Sequence, residues 1–333
     1  MKRLLGRASL APRPLPHMLT AQWSRDGGWS NARITRLTPW RISPFTAVLY
    51  YGQAIFEGLK ARRTADGRLA IFRLSAHAER FASSAQRMAM PSMPVEDFCD
   101  CVAAFVRHQE IQVTDADALY LRPLLFASEA MIGARPAARY TFAVTGALIS
   151  ESAISETIGV FVDPRYTRTA PGGIGVAKTA GNYAAALLAQ AQAAERGFHQ
   201  VLFLDARERT YVEETGATNV MFWTGSQLLT PPLGDTILDG VTRRSVISLA
   251  PSLGIEVVER QLPWRELFSD IKARRITEAF GLGTGAGVLP IDRIGTETEV
   301  ASLTGNGVSL RLQAALRAEC RGRGRHPWLT YVD

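Results

Sequence analysis

Apolar and polar positions divide the chain into many short strands and a few amphipathic helices. Residues 46–61 (TAVLYYGQAIFEGLKA) are predicted as a strand, a glycine break and a second apolar segment. Ser75 opens a helical pattern that runs to about Met90, and Pro94 opens another that runs to about Gln112. ALYLRPLLF (118–126) and RYTFAV (139–144) have the length and β-branched or aromatic content of buried strands. The small and polar stretch 145–158 follows, and 148–157 is the expected interdomain linker. Beyond it, VFVD (160–163) and VLFLD (201–205) read as strands flanking a helix over 182–196, which Gly197 closes. YVEETGATNVMFW (211–223) predicts two strands around a glycine turn, and Asp239-Gly240 precede a helix starting near Val241. EVVERQL (256–262) and the segment around GLGTGAGVLPI (281–291) return to strand, before a last helix ending near Glu319. Helices and strands do not alternate as repeated β–α–β units, so an α+β fold in two domains is predicted rather than a doubly wound sheet. The expected parts are a basic flexible tail (1–20), an N-terminal domain (21–147) and a C-terminal domain (158–333).

Composition narrows the function classes. The 333 residues are 47% hydrophobic and 21% charged, which excludes a disordered or fibrous chain. No run approaches the ~20 apolar residues of a membrane span, so no membrane is expected. Three cysteines make no disulfide framework and suit a reducing cytoplasm, and with no His/Cys partners around Cys99 and Cys101 no metal is expected. The net charge of +7 comes from scattered arginines without interleaved aromatics. An Arg-rich nucleic-acid-binding protein is therefore the disfavoured alternative of a different class. The first 25 residues carry basic groups and no acid, as a transit peptide would. Pro12, Pro14 and Pro16 interrupt any long helix there, so a flexible tail is the preferred reading.

Among the 38 basic residues only Lys2, Lys60, Lys178 and Lys272 are lysines. Lys178 is the only charge between Arg168 and Glu195, in a glycine-rich, apolar stretch. A desolvated amine there would be neutral and nucleophilic, as imine chemistry requires, whereas a surface lysine on a glycine loop is the bland alternative. GGIGVAKT lacks the glycine before lysine and the preceding strand of a P-loop, which excludes that reading. GLGTGA (281–286) matches a dinucleotide loop, but Val288-Leu289-Pro290 cannot open the helix that must follow. Tyr120 and Arg122, two apart on a strand, share a face and suit a carboxylate, or else a structural acid at a sheet edge. Glu213 and Glu214 have opposite facing, so one could turn toward a cationic heterocycle, while exposure of both is the ordinary expectation. Gly240-Val241-Thr242 at a helix start make an anion site.

FEGLKA (56–61), LYLRP (119–123), AGNYA (180–184), EETGATN (213–219), LDGVTRR (238–244) and GLGTG (281–285) occur in this order. Together they resemble the branched-chain amino acid aminotransferases, fold-type IV enzymes using pyridoxal 5′-phosphate, from about residue 20 to the C-terminus. The resemblance implies a small N-terminal α/β domain, a larger C-terminal domain with a mixed sheet or pseudo-barrel, and the cofactor at their interface. It implies that Lys178 forms the Schiff base and moves the α-proton. Glu214 would pair with the pyridinium nitrogen and Tyr183 with the phenolic oxygen, while Arg80 (in HAERF), Val241, Thr242 and Thr284 would hold the phosphate. On the substrate side it implies Tyr51, Phe56, Tyr120 and Arg122 for the side-chain pocket, with Arg122 receiving the distal carboxylate of glutamate. Thr284 and Gly285 would hold the α-carboxylate, and Ala217 would border the substrate. The implied reaction passes an amino group from leucine, isoleucine, valine or an analogue to 2-oxoglutarate, in a homodimer or larger homo-oligomer. Departures bear on substrate choice: Thr145-Gly146-Ala147-Leu148 replaces an aromatic pocket wall, Val176 stands where aspartate is common, and Ala286 and Leu289 replace a C-x-x-C pair. Same-fold alternatives are a transaminase for modified or aromatic amino acids, a D-amino acid transaminase, or an aminodeoxychorismate-lyase-like enzyme.

Overall fold

A computed structural model of the chain describes residues 12–109, 113–114, 117–150 and 157–332. Residues 1–11 of the expected tail and 151–156 of the expected linker lie outside the described residues. The chain forms two compact units that interleave in sequence. One takes Ser9–Ala153, Ala177–Gly181 and Glu319–Asp333, and the other takes Ile154–Val176 and Asn182–Ala318.

The N-terminal unit contains β1 (Arg13–Pro14), β2 (His17–Ser24), β3 (Gly28–Trp29), β4 (Arg33–Arg36), α1 (Val48–Tyr51), β5 (Ala54–Phe56), β6 (Leu59–Arg63), β7 (Leu69–Phe72), α2 (Leu74–Arg87), α3 (Val95–His108), β8 (Asp117–Ala127) and β9 (Arg139–Ser150). Its antiparallel sheet runs, in order, Leu329–Tyr331, β7, β6, β8, β9, β2, β3, with β5 also on β8, β1 on β9 and β4 on β2. Helices α2 and α3 bury Phe81, Phe98 and Phe105 with Phe142 of β9, which gives this unit its own core. The basic N-terminal run is not a loose tail from Arg13 onward. Leu15, Met18 and Leu19 are buried, and β2 pairs with β9 along six residues from Leu19 to Ser24, burial a count of charges does not register.

Three other elements differ from the pattern reading. Positions 148–150 of the expected linker are not linker but the end of β9, paired with Asp117–Leu119 of β8, because the strand of 139–144 runs on to Ser150. VLYY is a turn of helix, not a strand; Gly52 ends it in the left-handed region, at φ 64°. Ser75 is not the cap of α2, which starts one residue earlier after Arg73, itself left-handed. Arg73 is held by its N–H to Trp328 O and by its guanidinium over the Trp328 ring, so tertiary contacts set that boundary.

The C-terminal unit contains β10 (Ile158–Val162), α4 (Ala180–Glu195, whose first two residues belong to the other unit), β11 (Gln200–Leu204), β12 (Val212–Thr215), β13 (Asn219–Trp223), β14 (Gln227–Thr230), α5 (Val241–Leu249), β15 (Glu256–Glu259), α6 (Trp264–Lys272), β16 (Glu278–Gly283), β17 (Gly287–Gly295), β18 (Val300–Ser302) and α7 (Gly307–Cys320). Its mixed sheet runs β12-β11-β10-β17-β16-β13-β14-β15, with β18 on β17. Only β10–β11, β10–β17 and β14–β15 are parallel among the described pairs. Apolar side chains of both sheet faces, Phe222 and Leu202 on one and Phe161 and Phe203 on the other, are buried in separate clusters. The α+β expectation holds. No helix among the described residues is long and apolar enough to cross a membrane.

Candidate active site

In the N-terminal unit, β5, the FEG segment, α2 and β8 converge on Lys178. The Phe56 N–H donates to Lys178 O at 3.0 Å, and the Lys178 N–H donates to Ser84 Oγ of α2 at 3.0 Å. An isolated bridge joins Ile55 to Thr179, whose hydroxyl donates to Ala54 O at 2.7 Å. The peptide carrying the lysine is thus fastened on both sides. Its half-buried side chain sets Nζ 5.0 Å from the centre of the Phe56 ring. The Arg122 guanidinium lies 5.1 Å from the same ring and 5.2 Å from that of Tyr120, so the shared face of β8 expected for Tyr120 and Arg122 is present. Tyr51 is held separately by a bond from the Gly133 N–H to its hydroxyl, 2.7 Å long.

Glu57, the next residue after Phe56, turns to the other side. It is fully buried and accepts the Arg80 Nε–H at 2.7 Å, the Arg80 Nη2–H at 2.9 Å and the His77 Nδ1–H at 2.8 Å. Burial alone would raise its pKa, but Arg80 and His77 outweigh burial and hold the carboxyl well below the usual range. Burial, together with the charges of Arg80 and Lys178, pushes the His77 pKa down despite the opposing pull of Glu57. Glu57, His77 and Ser84 were not singled out from the sequence. Their signals were the glutamate inside FEGLKA and the i, i+3, i+7 spacing of His77, Arg80 and Ser84 on one helix face.

In the C-terminal unit the EETGATN and LDGVT segments are tied together through Glu214. Its carboxylate accepts the Leu238 N–H at 2.9 Å and the Asn219 Nδ2–H at 3.1 Å, and pairs with Arg168 Nη2 at 2.6 Å. Asn219 Nδ2 also donates to Leu238 O at 2.9 Å. These bonds fix the approach to α5, whose buried first residues are Val241 and Thr242 and whose start has no side-chain cap. Helix-start amides not claimed by a cap face an anion favourably. A Cβ on Gly240 would lie 1.9 Å from Asn219 Oδ1, so a larger residue there would have to displace the Asn219 amide. Arg168 and Asn219 were likewise missed; Arg168 was read only as the edge of the charge-free stretch.

Tyr183 is half-buried on α4, and Ala217 sits in the β12–β13 turn, where the Thr215 hydroxyl accepts the Ala217 and Thr218 N–H groups. Thr284 and Gly285 form the β16–β17 hairpin turn. Gly281 before it packs where a Cβ would meet Thr218 Oγ1 at 2.5 Å, so the two turns are braced against each other. The thiols of Cys99 and Cys101 are pushed up to about 11 by burial and neighbouring acids, which leaves them unreactive. Among the described residues no group of acids, histidines and cysteines could hold a metal ion.

A family model described as amino-transferase class IV matches residues 54–294, and the chain belongs to that family. Within it, the chain is one of the branched-chain-amino-acid aminotransferases. It is 39% identical over 328 residues to that enzyme from Mycobacterium tuberculosis (strain CDC 1551 / Oshkosh), covering 94% of this chain and 89% of the relative. The crystal structure of a branched-chain aminotransferase from Thermoproteus uzoniensis with norvaline superposes with a TM-score of 0.77 at 26% identity, covering 94% of this chain and 99% of that one. The branched-chain amino acid aminotransferase from Thermobaculum terrenum in its PLP-form, the holo-form, gives 0.76 at 26% identity, covering 94% and 98%. The fold-type IV expectation is borne out by these neighbours.

Proposed function

We propose that the chain is a pyridoxal 5′-phosphate-dependent aminotransferase that carries the amino group of leucine, isoleucine, valine or a close analogue to 2-oxoglutarate. The observation that carries this reading is the anchored Lys178, with its amine over Phe56 and Arg122 against the same ring. The names of the relatives and the ligands in the two solved structures support the substrate and the cofactor.

The donor set suits that cofactor: a primary amine, a buried carboxylate fixed by three partners, and an uncapped helix start preceded by a glycine packed against Asn219. When bound, the cofactor supplies an aldehyde carbon for imine chemistry at Lys178 and a protonated ring that withdraws electrons. Glu214 would accept the ring N–H, with Arg168 holding that carboxylate in place. Tyr183 would donate to the phenolic oxygen, and Arg80, Val241, Thr242 and Thr284 would hold the phosphate. The Lys178 amine takes the α-proton from the substrate and returns a proton. Tyr51, Phe56 and Tyr120 receive the aliphatic side chain, Arg122 the distal carboxylate of glutamate, and Thr284 and Gly285 the α-carboxylate, with Ala217 beside it.

A homodimer belongs to the same proposal. The segment 45–51 is bonded to 129–133 through Ala47 N–H to Glu129 O, Met131 N–H to Phe45 O and the Tyr51–Gly133 contact. This surface exposes Phe45, Leu49, Tyr50 and Ile132, the last by 82%. An apolar patch of this kind marks an association surface, and a second copy is the occupant we assign. A cytoplasmic location suits its three free thiols.

The test is a half-reaction on the full chain loaded with pyridoxal 5′-phosphate. L-Leucine is expected to convert the bound cofactor to its amine form, while D-alanine and a Lys178→Ala variant give no conversion. Borohydride reduction should leave the pyridoxyl label on Lys178. A label elsewhere, or preference for D-alanine, overturns the reading.

A further inference from the structure

We propose that Glu57, backed by His77, is a positioning residue that fixes the Arg80 guanidinium in the orientation that receives the cofactor phosphate. The inference rests on the reading of Arg80 as a phosphate residue and adds what aims it. The place of Glu57 is set by the chain around it. A Cβ on Gly58 would lie 2.5 Å from the Tyr120 hydroxyl, so a side chain of β8 packs closely against the FEG turn. The Gly58 N–H donates back to Glu57 Oε2 at 3.2 Å. The carboxylate then holds Arg80 by two parallel bonds, Nε–H to Oε1 and Nη2–H to Oε2. A planar group gripped along one edge presents its remaining N–H donors in one direction.

His77 completes the grip. Its Nδ1–H donates to Oε2, the oxygen that also takes Arg80 Nη2 and the Gly58 N–H. A buried carboxylate bound to one arginine alone could rotate; three donors on Oε2 hold it still. His77 and Arg80 leave α2 on the same face, so the helix itself sets their separation. Ordering the arginine before the ligand arrives removes an entropy loss from the binding step.

The experiment compares pyridoxal 5′-phosphate with pyridoxal, which lacks the phosphate, by fluorescence titration of the full-length protein freed of cofactor. Glu57→Gln places an amide where at least one of Arg80 and His77 meets a donor instead of an acceptor. It is expected to weaken the phosphorylated ligand about tenfold or more while changing pyridoxal less than about twofold. Parallel loss of both ligands would mean a structural role only, and an unchanged preference would remove the role altogether; either overturns the proposal. Should Glu57→Gln fail to melt cooperatively, His77→Gln keeps the carboxylate and is expected to shift the preference in the same direction by about threefold. No shift there also overturns it. Arg80→Ala separates the two levels. If it keeps the wild-type preference, the phosphate reading of Arg80 falls; if it loses the preference and Glu57→Gln does not, only the positioning role falls.

Discussion

Glu213 and Glu214 are neighbours on β12 and leave the strand on opposite faces. Both are buried, against the ordinary expectation for adjacent glutamates, yet their surroundings differ. Glu214 has the Arg168 cation and two N–H donors. Glu213 accepts the Thr236 hydroxyl through Oε1, and its Oε2 is buried without a hydrogen bond. Burial, reinforced by Glu214 and Asp205, raises the Glu213 pKa against the opposing effects of Thr236 and Arg168. A raised acid stabilises the fold fully below the ordinary carboxylate range, and that contribution is lost as pH climbs through the raised value. Glu213→Gln removes the titration, so melting of the variant relative to the parent should improve between about pH 4 and pH 8. A difference that stays flat over that range, or runs the other way, would show that Glu213 titrates normally. The sequence made it legible that the two glutamates face opposite ways, but not that both are buried. It did not reveal the partners, because Arg168, Leu238 and Thr236 are 20 or more residues away and local spacing says nothing about them.

At the scale of elements, period and punctuation were good guides wherever local forces decide. Pro94 precedes α3, Gly197 closes α4 with φ 82°, and Gly240 precedes α5 as read. The pattern misled at α1 and at the start of α2. VLYY fits a strand or a helical turn equally, and Arg73 is ordered by Trp328, 255 positions away. Gly240 offers an element-level test. Its φ of −71° suits alanine, so any penalty of Gly240→Ala is steric, from the Asn219 amide. The variant should lose about 1–3 kcal/mol of stability and bind pyridoxal 5′-phosphate more weakly. Adding Asn219→Ala should return part of the stability, since the clash is then gone. Strictly additive losses in the double variant would refute the contact.

For the whole molecule, the exposed apolar surface of the N-terminal unit is the feature with consequences. Leu49→Glu with Tyr50→Glu should convert a species of twice the chain mass into monomers in sedimentation velocity, with cooperative melting retained. Dimers persisting at micromolar concentration would place the association surface elsewhere. The sequence by itself determined the α+β class, the order of six motifs and the family they define. It also singled out Lys178 as the candidate amine, because a charge-free stretch, helical period and turn residues are local properties that survive without the fold. Only the tertiary structure decided that Ala177–Gly181 belongs with the N-terminal unit, that Glu57 grips Arg80 with the support of His77, and that Arg168 pairs with Glu214. Those arrangements come from burial and hydrogen bonding between distant segments. A buried carboxylate takes whichever cation the packing brings to it, and no periodicity in the chain encodes which one that is.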